Sequence, residues 1–219
     1  MTETADETTL RNQVVDAMRA MVAHGLNRGT TGNVSVRCGD GLLVTPTGVT
    51  PENLTPECIV FLNMQGRARE GSFKPSSEWQ MHAALLGARR DVNAIVHCHS
   101  RYATILACAG KPIPPLHYMV GVSGKPSVPI AGYATFGSEE LARNVVETLA
   151  GGYACLMANH GQIAMAPSIA RALVIADEIE EQSAVYWGTL LIGGPNILSG
   201  TQMDEIFGQF KKYGQKHRS

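Results

Sequence analysis

The chain has 219 residues, 44% apolar and 17% charged, so it can bury a substantial core. Its net charge of −1 gives no global field to attract nucleic acid or a membrane surface, and no apolar run approaches the ~18 residues a membrane span needs. Five cysteines (Cys38, Cys58, Cys98, Cys108, Cys155), odd in number and without a CxxC, argue for reduced thiols in a cytoplasmic protein rather than a disulfide framework.

Residues 1–9 are polar and acidic, which excludes a signal peptide and suggests a flexible tail. Residues 10–24 carry Val14, Met18, Met21 and Val22 at helical spacing, with Gly25 placed to end that helix. The segments GTTGNVSVR, GLLVTPTGVT and CIVFLNMQG are short apolar runs broken by Gly, Pro, Asn and Thr, as in hairpins. Ser76 or Ser77 is placed to cap a helix from about Glu78 to Arg89. Ala94–Val96 read as a buried strand ending in His97-Cys98-His99, with Ser100 placed to cap a helix that ends near Gly110. The Pro-rich stretch 112–129 predicts a loop, and residues 138–150 a helix. Cys155–Ala158 and Ile163–Met165 predict two strands around the turn Asn159-His160-Gly161. A long helix capped by Ser168 should reach Leu191, and a last one should span about 202–213, followed by a solvated basic tail. No repeat or linker divides the chain, so a layered α/β domain spanning 1–219, on a mostly antiparallel or mixed sheet, is expected.

The chemistry concentrates on histidine. His97 and His99 stand two apart on a strand, so their imidazoles share a face and Cys98 takes the other. Such a pair can grip a divalent metal, and it lies where a strand hands over to a helix. His160, in a tight turn directly after an apolar run, is the candidate third ligand; three histidines with an open position form a catalytic zinc pattern. Glu78, in a first helical turn, reads equally as a dipole-complementing acid or as a base facing the metal, and spacing does not choose. His82, one turn on, is either a partner behind the ligands or a plain i,i+4 neighbour. The loops 29–33, 45–48 and 74–77 offer hydroxyls and backbone N–H groups suited to phosphate, although Gly/Thr/Ser loops are mostly just turns. P-loop, dinucleotide, GxSxG and HExxH signatures are absent.

GTTGNVSVR, LLVTPTG, KPSSEWQMH, AIVHCHS, PLHYM, GYATFGSEEL and ANHGQIA, in this order over nearly the whole chain, resemble the class II aldolase/adducin family. The resemblance implies a three-layer α/β/α single domain, a homotetramer and one zinc per subunit. It implies that His97, His99 and His160 ligate zinc, and that Glu78 is the acid/base and also touches the metal when the site is empty of substrate. Gly32, Asn33, Thr47, Gly48, Ser76 and Ser77 would hold the substrate phosphate. Tyr118 would serve the aldehyde half from a neighbouring subunit, Tyr213 would close over the site, and Phe136 would lie near the aldehyde pocket. The implied reaction is reversible cleavage of a ketose 1-phosphate, of the L-fuculose or the 5-deoxy- or 5-methylthioribulose type, into dihydroxyacetone phosphate and a small aldehyde.

The six lysines from Lys74 to Lys216 lie in loops and tail, which disfavours Schiff-base chemistry. A 4-epimerase of ribulose 5-phosphate in the same family would carry an acidic residue between Tyr118 and Pro129, and this stretch has none. A decarboxylase of a phosphorylated 3-oxo acid is the other enzymatic alternative. Non-catalytic adducin-like scaffolds are expected to lack the ligands that stand here.

Overall fold

The computed structural model describes residues 5–212. Seven strands form one sheet in the order β3-β2-β1-β4-β7-β6-β5. They are β1 (Asn33–Cys38), β2 (Gly41–Val44), β3 (Val60–Asn63), β4 (Ala94–Cys98), β5 (Ile130–Ala131), β6 (Ala154–Met157) and β7 (Gly161–Ala166). Every neighbouring pair is antiparallel except β5 with β6, so the expected mostly antiparallel sheet is found.

Strand parity decides what each face buries. Val34, Val36, Val96, Leu156 and Ala164 point into one core with Val14, Met18 and Met21 of α1 (Ala5–Ala23), Leu106 of α3 (Arg101–Cys108) and Ile175 and Ile179 of α5 (Ile169–Leu191). Leu42, Val44, Ile95, Ile163 and Met165 point into the other, under Leu85 and Leu86 of α2 (Trp79–Ala88) and Leu141 and Val145 of α4 (Glu139–Thr148). The result is three layers, α/β/α. A sixth helix, α6 (Gly200–Phe210), starts with Ser199 and Gln202 in a reciprocal capping box.

Several local expectations need correction. Helix α1 starts at Ala5, so residues 5–9 are helical rather than tail. Its first turn is anchored because Glu7, buried, accepts from Arg11 Nε at 3.1 Å and from Arg69 Nη1 at 2.8 Å. The residue capping α2 is Glu78, not Ser76 or Ser77; the Ser76 hydroxyl instead accepts from the Glu78 N–H at 3.3 Å. Ser100 does stand at the start of α3, but its hydroxyl accepts from Gln162 Nε2 at 2.8 Å. The free N–H groups of α3, at Tyr102 and Ala103, donate instead to the Glu180 carboxylate on α5, each at 2.9 Å. Within the stretch expected as loop lie a 3₁₀ segment, Tyr118–Ser123, and a bridge between Ile113 and Val128.

Candidate metal centre

Of the three central strands, β4 runs antiparallel to both β1 and β7, so its C-terminal end lies beside the N-terminal ends of those two. His97 is on β4, paired with Asn33 on one side and Ile163 on the other. His99 follows the strand directly. His160 sits in the β6–β7 turn, where Asn159 is the one non-glycine residue with positive φ (55°) among the described residues, a conformation Asn tolerates. The His160 N–H donates to Met157 O at 3.1 Å, which fixes the turn. Gly161 then lets β7 approach β4: a Cβ at this position would lie 2.5 Å from Cys98 O and 3.1 Å from the His99 ring.

These elements bring together all four residues expected to surround a metal. His97 Nε2 lies 3.0 Å from His99 Nε2 and 3.2 Å from Glu78 Oε2; His160 Nε2 lies 3.2 Å from Glu78 Oε1. The three rings stand edge to face, with centroids 4.8–4.9 Å apart. One ligand atom from each residue falls within 4.8 Å of the rest. His97 and Glu78 are buried, and the other two half-buried.

The His97 Nδ1–H donates to Gln162 O at 2.8 Å, which directs its Nε2 lone pair inward. Burial alone would raise the Glu78 carboxyl, but the charges of the adjoining His97 and His160 rings hold it far below the usual range. Burial would lower His97, and Glu78 raises it instead. His99 is pushed down to about 4 by burial and by the neighbouring His97 and His160.

The donor set fits a divalent metal ion. Glu78 Oε1 is buried and accepts no hydrogen bond, and the Nε2 atoms of His97 and His99 converge to 3.0 Å, as nitrogens bound to one ion would. The contacts of 3.0–3.2 Å approach the roughly 3.3 Å between neighbouring ligands of a tetrahedral ion with bonds near 2.05 Å.

A cleft of about 340 Å³ opens onto this cluster, lined by Glu78, His99, Asn159 and His160 with Tyr133, Ala134 and Phe136. Phe136 is therefore beside the site, as expected, and strongly exposed. Two of the three expected phosphate loops, 45–48 and 74–77, pair through their backbones, and the third ends next to Val34, which Thr45 contacts. Thr45 N donates to Val34 O, Ser76 N to Thr45 O and Thr47 N to Lys74 O. Thr47, Gly48 and Ser77 are exposed, Gly32 is half-buried, and Ser76 is buried. Gly32 takes φ 73°, and a Cβ there would strike the Asn27 side chain at 2.4 Å. Asn33 is buried with its amide turned to Glu78, donating from Nδ2 to Oε2 at 2.9 Å.

Tyr118 is not brought to the cluster within the chain. It lines a separate cleft of about 770 Å³ with Met119, Leu198, Gln202 and Phe210, and its ring is 6.5 Å from that of Phe210. Tyr213 lies outside the described residues. Reading the sequence missed Tyr133, Asn159 and Gln162, and left His82 undecided. Gln162 carried a signal: it is a buried polar residue on an otherwise apolar strand.

The model of the Class II Aldolase and Adducin N-terminal domain matches residues 12–187. The 5-methylthioribulose-1-phosphate/5-deoxyribulose-1-phosphate aldolase of Rhodospirillum rubrum is 46% identical over 205 residues, covering 94% of this chain and 92% of its own. The L-fuculose phosphate aldolase of Escherichia coli (strain K12) is 42% identical over 206 residues, covering 94% and 95%. A solved structure of L-fuculose 1-phosphate aldolase superposes with a TM-score of 0.90 at 34% identity, covering 95% of this chain and 97% of that one. With the motifs, the layered fold and the Glu-His cluster all in agreement, this chain belongs to the class II aldolase and adducin family.

Proposed function

We propose that this protein is a zinc-dependent aldolase that reversibly cleaves a ketose 1-phosphate into dihydroxyacetone phosphate and a small aldehyde, acting as a cytoplasmic homotetramer of one-domain subunits. The observation that carries this reading is the convergence of Glu78 with His97, His99 and His160 at the floor of an open cleft. His97, His99, His160 and Glu78 would hold one zinc ion per subunit. The ion would supply Lewis acidity toward the charge that develops on the ketose oxygens when the carbon–carbon bond breaks.

The remaining work falls to the chain. Glu78, ionised and with Oε1 accepting no hydrogen bond, is equipped to move a proton at C3 of the three-carbon half. Asn33, Thr47, Gly48, Ser76 and Ser77, with Gly32, would hold the phosphate; the backbone pairing of their loops supports this grouping. Tyr118 of a neighbouring subunit would take the C4 hydroxyl proton during cleavage, and Tyr213 would close the site. Tyr133 and Phe136, exposed at the cleft mouth, are placed to meet the aldehyde half. The relatives' names point to L-fuculose 1-phosphate and to 5-deoxy- and 5-methylthioribulose 1-phosphate as substrates to try.

The test is a panel of these ketose 1-phosphates, with dihydroxyacetone phosphate release measured for protein as purified, stripped by chelator, and reloaded with zinc. Activity should vanish on stripping and return with zinc. Glu78→Gln should lower proton exchange at C3 of dihydroxyacetone phosphate in heavy water by about 10²–10⁴-fold. Full activity of stripped protein, or unchanged exchange in the variant, removes the proposal.

A further inference from the structure

Behind Glu78 lies a line of buried polar side chains that sequence parity puts on one face. Along β1, Val34 and Val36 enter one core, so Asn33 and Ser35 face the other way, toward α2. There they meet His82, fully buried one helical turn after Glu78. Glu78 and His82 share a helix face yet are joined through the strand beneath: Asn33 Nδ2 donates to Glu78 Oε2 at 2.9 Å, and Asn33 Oδ1 contacts His82 Nε2. The other ring nitrogen, Nδ1, lies 2.7 Å from Ser35 Oγ.

The direction of every bond in this line follows from its last member. An ionised carboxylate only accepts, so the amide end facing Glu78 must be the NH₂ group. Asn33 Oδ1 then faces His82 and can only accept, so Nε2 of His82 carries its proton. The buried ring makes no contact with a carboxylate to sustain a second proton, so Nδ1 accepts from the Ser35 hydroxyl. The line runs one way: Ser35 O–H to His82, His82 Nε2–H to Asn33, Asn33 N–H to Glu78. Turning the Asn33 amide over would set its oxygen against the carboxylate and a donor against the donor of His82.

We propose that His82 and Ser35 are positioning residues for Glu78: by fixing one orientation of the Asn33 amide they pin Glu78 Oε2 and leave Oε1 as the oxygen presented to metal and substrate. In agreement, Oε1 accepts no hydrogen bond and instead faces the ligand nitrogen His160 Nε2 at 3.2 Å. The inference rests on the reading of Glu78 as the acid/base.

Two measurements test it. In metal-free protein labelled with ¹⁵N-histidine, nuclear magnetic resonance should show His82 as a neutral ring protonated at Nε2. A ring protonated at Nδ1 overturns the inference. In zinc-loaded protein, His82→Phe should lower kcat and C3 proton exchange per bound zinc by about 10–100-fold, the range seen when groups behind metal ligands are removed. His82→Gln, which keeps an N–H donor, should recover most of the loss, and Ser35→Ala should fall between. A residue that only fills space predicts equal rates per bound zinc in every variant that folds, and that result ends the proposal. If His82→Phe does not fold, Ser35→Ala and the ring protonation still decide. Failure of the aldolase reading itself would look different: the unsubstituted protein would neither cleave nor exchange, whatever the state of His82.

Discussion

Gly161→Ala should damage the metal centre without touching a ligand. The added Cβ would lie 2.5 Å from Cys98 O and 3.1 Å from His99 Cδ2. The carbonyl is backbone of β4 and cannot swing aside, so the start of β7 must retreat by roughly 0.9 Å to reach an ordinary contact. His160 precedes this residue and His99 follows Cys98, so the two ligands separate by a similar amount. Metal sites tolerate only about 0.2 Å in ligand distances. Overpacking of this kind costs about 1–3 kcal/mol, and each kcal/mol lowers Tm by about 2–4 °C in a chain of this size. Elemental analysis of zinc per chain, zinc affinity by competition with a chelator, and Tm of stripped and loaded protein measure the effect. The comparison variant is Gly87→Ala in α2, where a Cβ meets nothing within 4 Å; it should hold or raise stability by up to about 1 kcal/mol. If Gly161→Ala binds zinc as tightly as the unsubstituted protein and melts with it, the argument from close strand approach is wrong.

Native protein treated with a thiol reagent at mildly alkaline pH should react first at exposed Cys108; buried Cys98, its thiol pushed up to about 12 by burial, and buried Cys155 should react only on unfolding, as mass spectrometry of the labelled sites will show. Burial raises the Glu7 carboxyl, but Arg69 and Arg11 outweigh it and hold it below its ordinary 4.5, so its stabilisation is present above that value and lost as pH falls through the lower folded one. Glu7→Gln should therefore lower stability to urea at neutral pH, with the gap closing on acidification; a gap independent of pH contradicts the ion-pair account. Chains carrying Glu78→Gln and chains carrying Tyr118→Phe, each inactive, should regain some activity after joint dissociation and reassembly, because Tyr118 lies outside the Glu78 cleft of its own chain. A mixture as inactive as its parents places Tyr118 in another role.

Much of the site was legible wherever short-range rules decide it. The two-residue spacing of His97 and His99 on an apolar strand forces both rings to one side, and a histidine between Asn159 and Gly161 can only be a turn histidine. Glu78 was not separable from an ordinary first-turn glutamate, because what distinguishes it is contact with residues that are remote in sequence. Helix α3 makes the same point: Ser100 is a sound local candidate for its cap, but Glu180, 78 residues beyond Tyr102, takes the N–H groups. Strand β5, two residues long and paired in parallel, has too little pattern to be read at all. Strand order also escapes local rules, since β4 enters between β1 and β7 by long-range pairing.

Under the proposed function, that strand order would separate chemistry from specificity. His97 stands in the fourth of seven strands, hydrogen-bonded on both sides, with Gln162 O behind its ring and Asn33 beside Glu78. Displacing His97 or Gln162 O means moving sheet backbone, so this side of the cluster is held as rigidly as the core that supports it. Tyr133 and Phe136 are under no such constraint. They leave the end of β5 on a loop, expose most of their rings, and touch the cleft only at its mouth. Substitution there would change the wall proposed to meet the aldehyde while leaving the carboxylate and imidazoles in place. A methyl, hydroxymethyl or thioether difference in the aldehyde is worth only about 1–3 kcal/mol of discrimination in such a wall. One framework can therefore serve several ketose 1-phosphates, and relatives of this chain at 46% and 42% identity do carry names of different sugars.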